Sequence, residues 1–347
     1  MALAAIELND AAVTVAREGE LRAQSPGYAL IEHDALLVGD DALERARLEP
    51  RLVSTRFWDR LSNDPVFPAA EVGVTFAELA KAHLAELWMH AGEGVDDLLL
   101  VVPSSYQRRQ LGLLLGIAEQ LSFPVRGMVD SALVACAPPV EADLAVHVDI
   151  HLHRAVITGI EMNGRARRVF HGSVEEVGLT QLRDAWIKLI ARCFVETTRF
   201  DPLHRAESEQ AIYDRLPHWL SVFATRESMG VEMTASDGSA HVIRLARSQI
   251  VDCASEHYER LAEQVRSLCG AAKVSLQLAD GAARLPGLAA ALPTAADGPA
   301  LLLPPGAGAL GALRHAAAIT EGGWRNTLTL SLARDDLAGQ GAKARRS

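Results

Sequence analysis

The run Asp97-Leu-Leu-Leu-Val-Val102, apolar at every position after the first and stopped by Pro103, admits few folds. A strand with one wet face alternates apolar with polar residues, so an unbroken apolar run belongs to a strand covered on both faces, as in a largely parallel sheet flanked by helices. The downstream pattern agrees. Ser104 or Ser105 is placed to cap a helix over Tyr106 to Leu121, Val125 to Val129 reads as a second strand, and Asp130 to Ala137 as a helix. Alternation on this spacing predicts an α/β architecture.

Upstream, Leu3 to Ala16 followed by Glu18-Gly19-Glu20 predicts an opening β-hairpin, Leu36 to Gly39 an extended piece, and Asp40 to Arg47 a short helix. Thr75 to His90 has helical apolar spacing, with Thr75 as N-cap and Glu78 in the place of a capping box. The chain has 347 residues, a length that suits two lobes. Pro138-Pro139 interrupts the pattern, so the boundary is set at Ala142: lobe I over 1–142, with a small subdomain over about 33–95, and lobe II over 143–333, with a helical subdomain over about 186–269. The second half repeats the first in outline. It runs strand pair (Leu144 to Ile160), helix (Leu179 to Val195), polar helical insert, strand (Val274 to Leu278), Gly/Pro-rich loop and helix (Ala309 to Ile319). Residues 334–347 are expected to be a disordered tail.

Lys plus Arg number 34 against 44 Asp plus Glu, a net charge of -10, which disfavours nucleic acid and anionic membrane as partners. Four scattered cysteines, Cys136, Cys193, Cys253 and Cys269, form no metal or disulfide pattern, and the first residues reach charge too early for a signal peptide, so the expected compartment is the cytoplasm. The usual nucleophile elbow, zinc-protease helix, Walker loop and dinucleotide fingerprint are missing. His147, Asp149, His151 and His153 alternate, and an unbroken strand would put them on one face as metal ligands; a turn at His151 would split the row. Ala279 to Gly287, a small-residue loop after a buried strand, is of the kind that lines the crevice of an open α/β sheet.

Several segments, in order, resemble the nucleotide-binding domain of the DnaK-type heat-shock chaperones of seventy kilodaltons, within the actin-like ATPase superfamily. Ala5-Ile-Glu7-Leu-Asn9-Asp10-Ala11 resembles the first phosphate hairpin, Leu52 to Phe57 the stretch that carries a catalytic lysine, and Leu100 to Gln110 the strand and helix written Thr-Val-Pro-Ala-Tyr. Met128 to Ala135 is similar to the Asn-Glu-Pro-Thr-Ala segment, Val146 to His153 to the second phosphate hairpin, and Leu276 to Gly287 to the adenosine loop. The resemblance implies an actin-like (ribonuclease H-like) α/β fold, two lobes around a central nucleotide cleft. It also implies roles: Asp149 for magnesium, Arg56 for the lysine and Asp130 for the base, with Glu7, Asn9, Asp10, His151, Gly281, Ala282 and Arg284 around ATP or ADP.

The departures bear on activity. Glycines in both hairpins let backbone N–H groups cradle phosphates, and here Asn9, Asp10 and His151 to His153 replace them. A carboxylate at Asp10 would repel a triphosphate by roughly 1 to 4 kcal/mol per close like-charge pair. The expectation is a stand-alone domain whose ATPase is slow or lost, acting as a scaffold or regulator of a protein partner, with ATP or ADP and magnesium as optional ligands. The alternatives are an active chaperone-type ATPase with unusual phosphate ligation and an actin-like cytoplasmic scaffold of a pilus or secretion machine. No chaperone-type substrate domain is expected after Leu328 to Leu332, a stretch that reads either as an interdomain linker or as a last edge strand. Tyr213, Trp219, Phe223 and Tyr258 of the insert read either as anchors for the partner or as core packing, the latter favoured for Trp219 and Phe223.

Overall fold

In the computed structural model, which describes residues 2–33, 35–67, 73–136, 142, 144–292, 299–321 and 327–333, the chain builds two six-stranded sheets with helices between and outside them. The first half contains β1 (Leu3–Glu7), β2 (Val13–Arg17), β3 (Glu20–Ser25), β4 (Ala29–Ile31), β5 (Leu36–Val38), α1 (Asp40–Leu43), β6 (Val53–Ser54), α2 (Phe76–Ala91), β7 (Asp97–Val102), α3 (Arg108–Gln120), β8 (Val125–Asp130) and α4 (Ser131–Ala135). The second contains β9 (Leu144–Ile150), β10 (Arg154–Asn163), β11 (Arg165–Glu175), α5 (Leu179–Thr198), α6 (Ala206–Phe223), β12 (Ser228–Thr234), β13 (Ala240–Ala246), α7 (Arg247–Cys269), β14 (Val274–Leu278), α8 (Asp280–Ala283), α9 (Leu288–Ala291) and β15 (Leu301–Leu302). Then follow α10 (Ala307–Arg314), α11 (Ala316–Thr320), β16 (Leu328–Thr329) and β17 (Ser331–Ala333).

The two sheets share one plan. The first runs β3-β2-β1-β7-β8-β16 and the second β17-β11-β10-β9-β14-β15. In each, three antiparallel strands are followed by two that run parallel to the first of them, β1 to β7 to β8 and β9 to β14 to β15. The apolar run of β7 has the expected cause. Leu98, Leu100 and Val102 enter the core under α2 and α3, while Leu99 and Val101 enter the core with α4, α10 and α11. On β9, likewise, Val146, Val148 and Ile150 pack under α5 and α7, which turns Ala145, His147 and Asp149 toward the first lobe.

Local chemistry fixes the ends. Glu18 and Gly19, both at positive φ (57° and 79°), make the tight turn between β2 and β3. Thr75 and Glu78 exchange hydrogen bonds as a capping box at the start of α2. Neither Ser104 nor Ser105 caps α3; its cap is Gln107, whose N–H donates to Gln110. Ser104 is buried instead and donates to Asp130.

Two expectations change, and one left open is decided. The polar third strand of each half was not read as such, and β11 has exposed or half-exposed arginines at Arg165, Arg167 and Arg168. The helix over Ala309 to Ile319 is two, α10 and α11, broken at His315; α10 packs on the first sheet and α4, and α11 on β8. Leu328 to Leu332 forms edge strands, β16 on β8 and β17 on β11. The tail over 334–347 lies outside the described residues, as do the residues flanking Ala142 at the expected boundary. Among the described residues no helix is long and apolar enough to cross a membrane.

Candidate functional site

The carboxyl ends of β1 and β9 face each other across the two lobes, and the turns that follow them meet. Asn9 holds its own turn through Oδ1, which accepts the Ala11 N–H at 2.8 Å. That contact aims Nδ2 into the other lobe, where it donates to Asp149 Oδ1 at 2.8 Å and to the Ile150 carbonyl at 3.2 Å. Asp10 crosses the same gap. Its Oδ1 accepts the backbone N–H of Leu152 at 2.7 Å and lies 3.2 Å from His151 Nδ1.

These contacts set the local electrostatics. Burial alone would raise the Asp10 carboxyl, but the hydrogen bond and charge of His151 and the Leu152 N–H outweigh it and lower its pKa. Burial would lower His151, yet Asp10 and then Asp149, whose Oδ2 is 3.7 Å from His151 Nε2, raise it. The pair therefore favours imidazolium facing carboxylate. His147 is buried, and desolvation pushes its pKa down.

Glu7 closes β1 and caps α10: Oε2 accepts the Ala309 N–H at 2.9 Å, and the Gly308 N–H also faces it. A Cβ at Gly308 would stand 2.1 Å from Glu7 Oε1, so this approach requires glycine. A helix N-terminus favours a carboxylate. Here burial and then the neighbouring charge of Asp149 win, and the pKa rises from 4.5 to about 7.

Around these residues opens a cleft of about 540 Å³. Glu7, Asn9, His147 and Asp149 line it together with Gly281 and Arg284, while Leu179, Pro217, Leu220 and Leu285 supply apolar wall. Arg284 is held by Asp280 at the rim (2.9 Å), and Arg183 also lines the opening.

The other residues expected in the cleft lie elsewhere. Arg56 donates to Asp59 and Glu176, at 3.3 Å and 3.2 Å, away from the cleft wall. Asp130 is fully buried as the N-cap of α4, where Ser104 (2.8 Å) and Arg168 (2.7 Å) hold it, so it presents no base to the cleft. Ala282 is core. Asp10 and His151 sit behind the cleft, against Trp58, Tyr106 and Arg154. The histidine row is divided as well: His147 and Asp149 stay on β9, whereas His151 and His153 enter the turn, and His153 bonds Thr55 at 2.9 Å. Among the described residues no three His, Cys, Asp or Glu converge as a metal group.

Sequence reasoning missed the walls from α5, α6 and the start of α10. The run Gly306-Ala-Gly-Ala-Leu-Gly311 was the available signal, since small residues permit the close approach of Gly308 to Glu7 and of Gly311 to Val134. The four insert aromatics are core residues and not exposed anchors. No protein-family model and no curated protein matches this chain.

Proposed function

We propose that this chain is an actin-like, DnaK-type cleft domain that has lost phosphate handling and serves as a scaffold or regulator of a protein partner. The duplicated strand order and the position of the cleft at the carboxyl ends of β1 and β9 support the fold reading. One observation carries the functional half. The Leu152 N–H in the second hairpin, a donor of the kind that would cradle a phosphate, is taken by the Asp10 carboxylate, and Asp149, which would hold magnesium, is hydrogen-bonded by Asn9.

The residues therefore do not fit Mg-ATP. A phosphate would have to displace a buried carboxylate from its donor and meet Glu7 and Asp149, with no arginine or lysine paired to either among the described residues and only His151 beside Asp149, so both hydrogen bonding and charge oppose it. Thermal denaturation with and without Mg-ATP or Mg-ADP tests this. A competent site at one hundred times its dissociation constant adds about 2.7 kcal/mol. We expect no shift and no steady-state hydrolysis; a clear shift together with turnover lost in Asp149→Ala would overturn the reading. Glycines at Asn9 and Asp10 should raise nucleotide affinity.

A further inference from the structure

The cleft floor is rich in acceptors and short of donors. Glu7 accepts the N–H groups of Gly308 and Ala309, and Asp149 accepts Asn9 Nδ2, yet each carboxylate has about four lone-pair sites, so both keep acceptor capacity toward the cleft. His147, 3% exposed, lines the same floor. The cations on the wall, Arg183 and Arg284, stand on α5 and just after α8, and Arg284 is already paired with Asp280. No arginine or lysine is paired with Glu7 or Asp149 among the described residues. Leu179, Pro217, Leu220 and Leu285 form an apolar wall, and about 540 Å³ falls within the range of small-molecule sites.

We infer that the cleft binds a small amphipathic cation, with a primary ammonium or amidinium head seated on Glu7, Asp149 and His147 and an apolar body against the α5–α6 wall. An ammonium has three donors and no acceptor, the complement of this floor. A phosphate or carboxylate head brings only acceptors and a like charge. Charge and hydrogen bonding thus select the same head group. The inference rests on the reading that the cleft does not take a triphosphate, and it names the ligand class that the altered cleft takes instead.

Phenylbutylamine, phenylbutanol and phenylbutyrate share one body and differ in head group, so calorimetric titration of the full chain at pH 8 separates the terms. The amine should bind at least tenfold more tightly than the alcohol, and the carboxylate should not bind measurably. Glu7→Gln and Asp149→Asn should each weaken the amine about tenfold, equivalent to about 1.4 kcal/mol, and leave the alcohol unchanged. The ordering within the unaltered protein stands as a test even if a variant fails to fold. Failure of the amine to bind, equal binding of amine and carboxylate, or amine affinity unchanged in both variants would overturn the inference. Mg-ATP titrated in parallel keeps the two readings apart: nucleotide binding defeats the loss of phosphate handling, whereas absence of both nucleotide and amine binding defeats only the cation site.

Discussion

Asp10 joins two lobes through one oxygen, because Oδ1 serves both the Leu152 N–H and His151 Nδ1. Alanine at this position would leave a buried N–H without a partner, a loss of about 1–3 kcal/mol, and would free the donor that a phosphate needs. Asp10→Ala should therefore melt earlier yet bind Mg-ADP more tightly than the parent, a pairing of effects that simple damage to the fold does not produce. Glu7 gives a pH signature. Its folded pKa, about 7, lies above the ordinary 4.5, so the folded state favours the protonated form; the contribution is fully present below pH 4.5 and is lost as pH rises through about 7. At about 1.4 kcal/mol per tenfold this is on the order of 2–3 kcal/mol after allowing for solvent in the cleft. Urea melts should show Glu7→Gln gaining on the parent by that amount between pH 5 and pH 8. A gap that stays flat across this range would contradict the assignment.

Helix α10 reaches its place only because glycines let it. A Cβ at Gly311 would lie 2.0 Å from the Val134 carbonyl of α4, a backbone atom that cannot turn aside, so Gly311→Ala should cost about 1–3 kcal/mol or more and draw the helix away from Glu7. Loss of thermal stability together with faster amide exchange in α10 would register it, and an unchanged melting temperature would count against it. The same elements explain what could be read from sequence. β7 was legible because both of its faces are buried, and α2 because its cap and apolar stripe agree. β11 was not, because its side chains include several solvated arginines that mask the apolar alternation, although the Asn163-Gly164 turn joining it to β10 was a local signal. At the site, Glu7, Asn9, Asp149, Gly281 and Arg284 were legible from order along the chain. Arg56 and Asp130 were misplaced because their partners, Glu176 and Arg168, lie 120 and 38 positions away, and no local pattern announces such pairs.

Across the whole molecule, the far side of the cleft is latched. Arg47, just beyond α1, stacks its guanidinium 3.6 Å from the ring centre of Tyr213 on α6, pairs with Asp184 on α5 at 3.1 Å, and donates its backbone N–H to Gln210 at 2.8 Å. Gln210 returns a bond to the Leu43 carbonyl at 3.1 Å. These contacts are partly solvated, so the side chain of Arg47 contributes through a cation–π term of about 0.5–1 kcal/mol and ion pairs of up to about 1 kcal/mol. That sum is small against global stability but large against an opening equilibrium, where 1–2 kcal/mol shifts populations roughly 5- to 30-fold. Arg47→Ala should leave the melting temperature within a few degrees of the parent while amide exchange in Asp40–Leu43 and along α6 accelerates by that factor. Exchange in β7, which is buried on both faces, should not change. Because Asn9 and Asp10 continue to bridge the two hairpins, the cleft should part at its α1–α6 side and pivot about the hairpins; acceleration spread evenly over both sheets would mean instead that the lobes separate as a unit and that the hairpin bridge does not hold them.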